Sequence, residues 1–402
     1  MNRVEPRLTG DDLTGYFHSA VVPREENRIG VEYEFFCLEA ESRRRLGFEG
    51  VPGIEWLLGR LLETGGGSPV GEAGRTVGIE HPDYSVSIEP GGQLEASFPP
   101  CRSAAEFARK LEIYLSRLRE AGGGKVIFIA AGADPVTPFS EVPWIPKRRY
   151  RIMRRYWEGR GDLSHHMMTQ TAAVQVSIDY NSEADAVGKL ANAVSLSQAL
   201  TGLFANSPVY GGVYRYTGSF RKNIWCRTDR ERSGIPAGCG GSIGSFGDYV
   251  DYALSVPMLF ISRGGRLEEL EEGFTFRDFL DRGRGDKFPG LEDWRLHLNT
   301  IFSLVRFNNS TLEIRVFDSN RPELVAGIAA LVRGIFYSGR EFGTLTGPAE
   351  LAALARENLD REDRRFLDPV DRLIREGTSP ADSALRAFRD GGPESLLESL
   401  RI

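Results

Sequence analysis

The chain has 402 residues, 41% of them hydrophobic and 26% charged, with a formal net charge of -6. These are the proportions of an ordinary globular protein, long enough for two or three domains or for one continuous enzyme. The acidic balance argues against nucleic acid or an anionic membrane as the main partner, and no segment is apolar for long enough to span a bilayer.

The opening residues, Met1-Asn-Arg-Val-Glu-Pro-Arg, lack the apolar stretch of a secretory signal. Cys37, Cys101, Cys226 and Cys239 are widely spaced with no C-x-x-C pair, so neither a disulfide framework nor a thiolate metal site is expected. Both features point to a cytoplasmic protein, in which the Asn309-Ser-Thr glycosylation triplet carries no weight.

After a polar lead-in over residues 1–24, Arg28-Ile-Gly-Val-Glu-Tyr-Glu-Phe-Phe36 predicts a strand. Its alternation puts Val31, Tyr33 and Phe35 on a core face and Glu32 and Glu34 together on the other. Two acids side by side on a strand repel, so they ask for a metal or a cationic ligand unless that face is simply solvated. Residues 54–63 predict a helix, followed by a loop to Tyr84 with no phosphate-loop signature.

Next comes Ser87-Ile-Glu-Pro-Gly-Gly-Gln-Leu-Glu-Ala-Ser97, a bend with Glu89 and Glu95 on either side and Gln93 sharing a face with Glu95. Two carboxylates aimed into one space again suggest a cation between them. Residues 104–120 predict an amphipathic helix with Phe107, Leu111, Tyr114, Leu115 and Leu118 as core, and residues 125–131 a short strand.

The stretch 146–156 carries Lys147, Arg148, Arg149, Arg151, Arg154 and Arg155 with tyrosines interleaved. It reads as a solvated basic helix, a site for anionic groups of a small molecule or, last in rank, a nucleic-acid patch. His165 and His166 suit a helix end or loop better than a metal, because sequence neighbours rarely converge on one ion. The following strand places Gln175, Ser177 and Asp179 on one face and Val174, Val176 and Ile178 on the other.

Residues 184–204 predict a long helix. Residues 220–234 pack cations around Trp225, as a salt-bridge cluster or an anion clamp. The glycine run 238–247 follows no strand pattern, so a dinucleotide fold is not supported. Ser310-Thr-Leu-Glu-Ile-Arg-Val-Phe-Asp318 predicts a strand with Glu313 and Arg315 on one face, and the chain from Gly347 onward predicts a cover of charged helices.

Acids on one face of several strands are hard oxygen ligands, which suit Mg²⁺ or Mn²⁺ and not zinc. Such ions could hold a nucleotide's phosphates, and Arg315 could stabilise a transferring phosphoryl group.

Six ordered blocks resemble the glutamate–cysteine ligases of the plant and proteobacterial type, over about residues 25 to 320. They are Ile29-Gly-Val-Glu-Tyr-Glu-Phe, Ser87-Ile-Glu-Pro-Gly-Gly-Gln-Leu-Glu, the basic stretch 146–156, Met167-Met-Thr-Gln-Thr-Ala-Ala-Val-Gln-Val, Ile224-Trp-Cys-Arg-Thr-Asp-Arg-Glu-Arg-Ser-Gly and Tyr249-Val-Asp-Tyr-Ala-Leu-Ser-Val-Pro-Met. The resemblance implies an α+β, glutamine-synthetase-like catalytic fold in which a curved antiparallel sheet, flanked by helices, lines the site. It implies a catalytic domain over 1–346 and a helical extension over 347–402 packed on the same domain.

It also implies ATP- and Mg²⁺-dependent joining of glutamate and cysteine through a γ-glutamyl phosphate, with these small molecules as the only partners of a monomer or homodimer. Carried over by position, Glu32, Glu34, Glu89, Glu95, Gln175 and Glu313 would hold the metal. Arg315 and Glu89 would be catalytic, while Arg149, Arg221, Trp225, Arg232, Met168 and Thr169 would bind substrate. Arg148 stands where the family has glycine and Gln170 where it has arginine, and Gln170 raises a different acceptor amine. A ligase for another amine is thus an alternative, and a guanidino phosphotransferase using Cys226 is a more distant one.

Overall fold

The alternating stretches pair into one antiparallel sheet in a computed structural model that describes residues 7–236, 243–308, 310–339 and 347–402. The start of the lead-in, Cys239, the glycine run as far as residue 242 and Asn309 of the glycosylation triplet lie outside the described residues. The strands are β1 (Ile29–Glu39), β2 (Ser68–Glu72), β3 (Arg75–His81), β4 (Tyr84–Ile88), β5 (Leu94–Cys101), β6 (Val126–Ile129), β7 (Ala173–Ile178), β8 (Val305–Asn308) and β9 (Thr311–Asp318). Their order is β8-β9-β7-β1-β5-β4-β3-β2, with β6 pairing the far end of β1.

β2 and β3 occupy the segment expected to be a loop before Tyr84. Pro69, Gly71, Gly74 and Gly78 hide the alternation there, and β2 is an exposed edge strand with little to bury. The other predicted strands and helices form within a few residues of their expected limits, including the helices Ala104–Gly122 and Glu183–Leu203.

The faces separate as the alternation dictates. Val31, Tyr33, Phe35, Leu94, Ala96, Val174, Val176, Ile178, Leu312 and Ile314 are all buried. The helices Ala104–Gly122 and Pro322–Phe336 pack against that apolar face. Curvature enters through β-bulges, which bend a strand by inserting one residue. One falls in β1 between Ile29 and Val31, and another in β9 between Ile314 and Phe317. The second is where Arg315 sits.

The C-terminal helices make close contacts with the helix Pro322–Phe336 and with the strands β1 and β6. Pro348–Asn358 lies on Pro322–Phe336 so closely that a Cβ on Gly334 would come within 2.6 Å of Ala355 backbone atoms. Leu396, Leu397 and Leu400 pack with Phe36, Leu38, Ile127 and Ile129. Ala130 N donates to the Leu400 carbonyl at 3.0 Å, and Ile402 N to the Phe128 carbonyl at 3.1 Å.

Candidate active site

Register sets the acids opposite one another. Glu34 on β1 pairs directly with Glu95 on β5, Glu32 pairs with Gln175 on β7, and Glu313 on β9 pairs with Ser177 on one side and Arg306 on the other. Glu89 joins them from the bend after β4. That bend closes with Gly92 N donating to the Glu89 carbonyl at 2.8 Å, and Gly92 takes φ +81°, a left-handed conformation that favours glycine. A Cβ on Gly91 would meet the Thr169 carbonyl oxygen at 2.2 Å, so only glycine lets the bend touch the helix Ser164–Gln170.

Gln93 fastens this contact, with Nε2 donating to the Thr171 carbonyl at 2.9 Å and Oε1 accepting from Gly91 N at 3.0 Å. Behind it, Arg45 Nη2 donates to the Gly91 carbonyl at 2.5 Å, while Nη1 pairs with buried Asp134 at 2.7 Å.

The acids feel one another. Burial first, and then the charges of Glu95 and Glu313, push the Glu32 carboxyl well above its ordinary range. Burial, Glu95 and Glu89 do the same to Glu34. Burial and Glu95 bring Glu89 up to about 7 against the pull of Lys147, Arg149 and Arg315. Glu313 is the opposite case. Burial resists its ionisation, but the guanidiniums of Arg306 and Arg315 overcome this and hold it down to about 2.

The bonds explain that contrast. Arg306 grips Glu313 with two donors, Nε at 2.9 Å and Nη2 at 3.1 Å, and Asn308 adds a third at 2.7 Å. Arg315 Nη1 bonds both Glu313 and Gln175. Gln175 in turn donates to Glu34 at 2.6 Å, and Ala173 N donates to the same carboxylate at 2.8 Å. Ser87 Oγ donates to Glu95 at 2.9 Å.

Beside the acids is a cavity lined by Glu34, Glu89, Gln93, Arg221 and Arg315, with Met153, Trp157, Met168, Trp225 and Phe302 as its apolar walls. Arg221 and Trp225 lie on the helix Phe220–Cys226, whose N-cap Ser219 is tied to buried Asp318 at the end of β9 by a 2.8 Å hydrogen bond. Within this lining Arg221 Nε, Trp225 Nε1 and Trp157 Nε1 are buried donors without an acceptor among the described residues. Buried donors left unmet are costly, so this wall suits a ligand rich in carboxylate oxygens.

The structure thus brings Glu32, Glu34, Glu89, Glu95, Gln175, Glu313, Arg315, Arg221, Trp225 and Met168 together. Arg149 acts on the cluster through its charge beside Glu89. Thr169 is fully buried and donates to the His165 carbonyl at 2.8 Å, meeting the site through its backbone contact with the bend. Arg232 is not brought to the cavity. It is fully buried, and its donors are taken by Asp229, Thr300, Tyr156 and Pro257 at 2.6–3.2 Å.

Gln170 is also outside the cavity lining. Its Nε2 donates to the Thr137 carbonyl at 2.7 Å and its Oε1 accepts from Tyr210. Cys226 lines an outer cleft with Lys222 and Arg230 and not the acidic cavity. His165 bonds the Arg154 carbonyl at 2.8 Å and His166 stacks on Phe139, both in the helix Ser164–Gln170. Most of the basic helix Arg148–Tyr156 is solvated or paired, as Arg155 is with Glu269 at 2.7 Å.

Arg306, Asn308, Phe302 and Trp157 are contributors that escaped the sequence reading. Arg306 stands opposite Glu313 in the β8–β9 pairing, a register that the letters alone do not give. Trp157 has no sequence signal either.

No three acidic, histidine or cysteine side chains form a ready metal cluster among the described residues. Glu32, Glu34 and Glu89 are the acids whose mutual repulsion and burial outweigh the arginines nearby, so with Glu95 they are the oxygen donors a hard divalent cation would relieve. Glu313 and Gln175 fit less well, because their oxygens are engaged by arginines and by Asn308.

An antiparallel sheet with acids and an arginine on its inner face, walled by helices, is the architecture expected for a carboxylate–amine ligase. Residues 28–339 match the model of glutamate–cysteine ligase family 2. A chloroplastic glutamate–cysteine ligase of Medicago truncatula is 32% identical over 435 residues, covering 97% of this chain and 84% of that protein. The chloroplastic enzyme A of Oryza sativa subsp. indica is 31% identical over 424 residues, covering 95% and 85%.

The chain belongs to the glutamate–cysteine ligase family 2 and is a ligase. A crystal structure of a Francisella tularensis glutamate–cysteine ligase in complex with AMP shares the fold, with a TM-score of 0.58 at 11% identity over 93% of this chain and 87% of that one. These relatives are chloroplastic enzymes, which overturns the cytoplasmic expectation. Cysteine usage reports a reducing compartment and does not say which one.

Proposed function

We propose that this protein joins the side-chain carboxylate of glutamate to the amine of cysteine with hydrolysis of ATP to ADP and phosphate, forming γ-glutamylcysteine. The observation that carries the reading is the convergence of Glu32, Glu34, Glu89 and Glu95, from separate segments, beside a cavity that also holds Arg221 and Arg315. Family membership supports it. Mg²⁺ held by these carboxylates would supply positive charge for the nucleotide phosphates.

The chain's own residues account for the rest. Arg221 and Trp225 offer unmet donors to the carboxylates of glutamate, Arg149 adds charge beside Glu89, and Met168 closes the apolar wall. Arg315, held by Glu313 and Gln175, faces the transferring phosphoryl group, where a preorganised cation lowers the barrier.

Turnover assays with ATP, Mg²⁺ and glutamate, varying the acceptor and following ADP and product mass, test this. ADP release that requires cysteine supports the reading. Release only with another amine, or a phosphorylated guanidine as product, overturns it.

A further inference from the structure

A cleft of about 460 Å³ that shares no lining residue with the catalytic cavity is lined by Arg43, Arg44 and Arg45, Val136 to Pro138, Glu141 and the C-terminal residues Pro393, Glu394 and Leu397. Arg43 and Arg44 form no ion pair with a carboxylate among the described residues. Arg43 holds φ +60°, a left-handed conformation unusual for a residue with a side chain, at the turn leaving β1.

Two buried polar atoms in the lining lack any hydrogen-bond partner: Thr137 Oγ1, in a residue 6% exposed, and Arg45 Nε, in a residue 7% exposed. Unmet buried groups of this kind are rare and call for an explanation. Glu141 and Glu394 also line the cleft and Arg45 is paired with Asp134, so Arg43 and Arg44 are the guanidiniums of the lining that hold no carboxylate among the described residues.

We propose that this cleft is a second ligand site, separate from the catalytic cavity, that takes a small organic anion carrying two or more carboxylate or phosphate groups. Guanidinium forks bind both groups through paired, charge-assisted hydrogen bonds, and the Thr137 hydroxyl supplies a further donor. Arg45 ties the floor of the cleft to the Gly91 carbonyl, and the Thr137 carbonyl ties it to Gln170. None of the acids of the catalytic cluster lines it.

Calorimetric titration of the whole protein with citrate and, separately, with pyrophosphate in Mg²⁺-free buffer tests the proposal. The two probes distinguish a carboxylate from a phosphate ligand, and tight binding of either supports the site. Arg43→Gln with Arg44→Gln should weaken that binding about tenfold or more, because each lost charged bond is worth over a kcal/mol. Glu141→Gln should strengthen it, and Arg221→Ala, in the catalytic cavity, should leave it unchanged. All three substituted segments reach the surface or a cavity, and circular dichroism checks that each variant is folded. Binding of neither probe, indifference to the arginine pair, or loss in Arg221→Ala would overturn the proposal.

Discussion

At the residue scale, Glu313 and Glu89 show one side-chain type under two electrostatic regimes. Glu313 has two arginines and an asparagine on its oxygens, and it stays ionised down to about 2. Removing Arg306 would leave that buried charge with Arg315 as its sole remaining cation. Breaking a buried pair in this way costs about 3–5 kcal/mol, so Arg306→Met should lower the urea midpoint strongly with an unchanged m-value, whereas a loss under about 1 kcal/mol would show the pair to be dispensable.

Glu89, raised to about 7, lies with Glu32 and Glu34 above the ordinary carboxyl value of 4.5. A carboxyl raised in the folded state adds stability below its unfolded value and loses it as pH climbs through the folded value. In EDTA the protein should therefore lose stability between about pH 4.5 and 7, and the rise in melting temperature on adding Mg²⁺ should grow over the same window. Scanning calorimetry at several pH values reads this; a Mg²⁺ effect independent of pH contradicts it. Glu89→Gln or Arg315→Ala should abolish turnover in a protein that remains folded by circular dichroism, and near-wild-type rates in either would remove the site assignment.

At the element scale, the bend between β4 and β5 is where chain geometry and chemistry meet. Gly91 exists so that the bend can rest on the Thr169 carbonyl. Gly91→Ala should push Glu89 away from the cavity, costing roughly 1–3 kcal/mol of stability as an overpacked contact and most of the turnover. A fully active variant would show that the contact does not position Glu89.

The same scale shows what could be read from the letters. The faces of β1, β5, β7 and β9 follow from strict alternation, so the acids and Arg315 could be placed on one side before any fold was seen. Arg306 could not, since its partnership depends on register, and register is a property of two strands and a turn. Gln170 looked decisive as a departure from family pattern, yet its amide faces Thr137 and Tyr210. β2 and β3 were lost because glycine and proline mask alternation in a thin edge hairpin.

At the scale of the whole molecule, the sheet is held between a core face and a catalytic face, and the C-terminal helices complete the core. Leu396, Leu397 and Leu400 close on Phe36 and Leu38, from the strand that also carries Glu32 and Glu34. We therefore expect residues 347–402 to unfold together with the rest in a single calorimetric transition, and a separate early transition would make them an independent unit.

The account's central claim is that this assembly primes the side-chain carboxylate of glutamate with a phosphoryl group before the amine attacks. Glutamate labelled with ¹⁸O in that carboxylate tests it directly, with mass analysis of the phosphate released during turnover with ATP and cysteine. One labelled oxygen should pass to phosphate for each peptide bond formed. Phosphate released without label would contradict the claim.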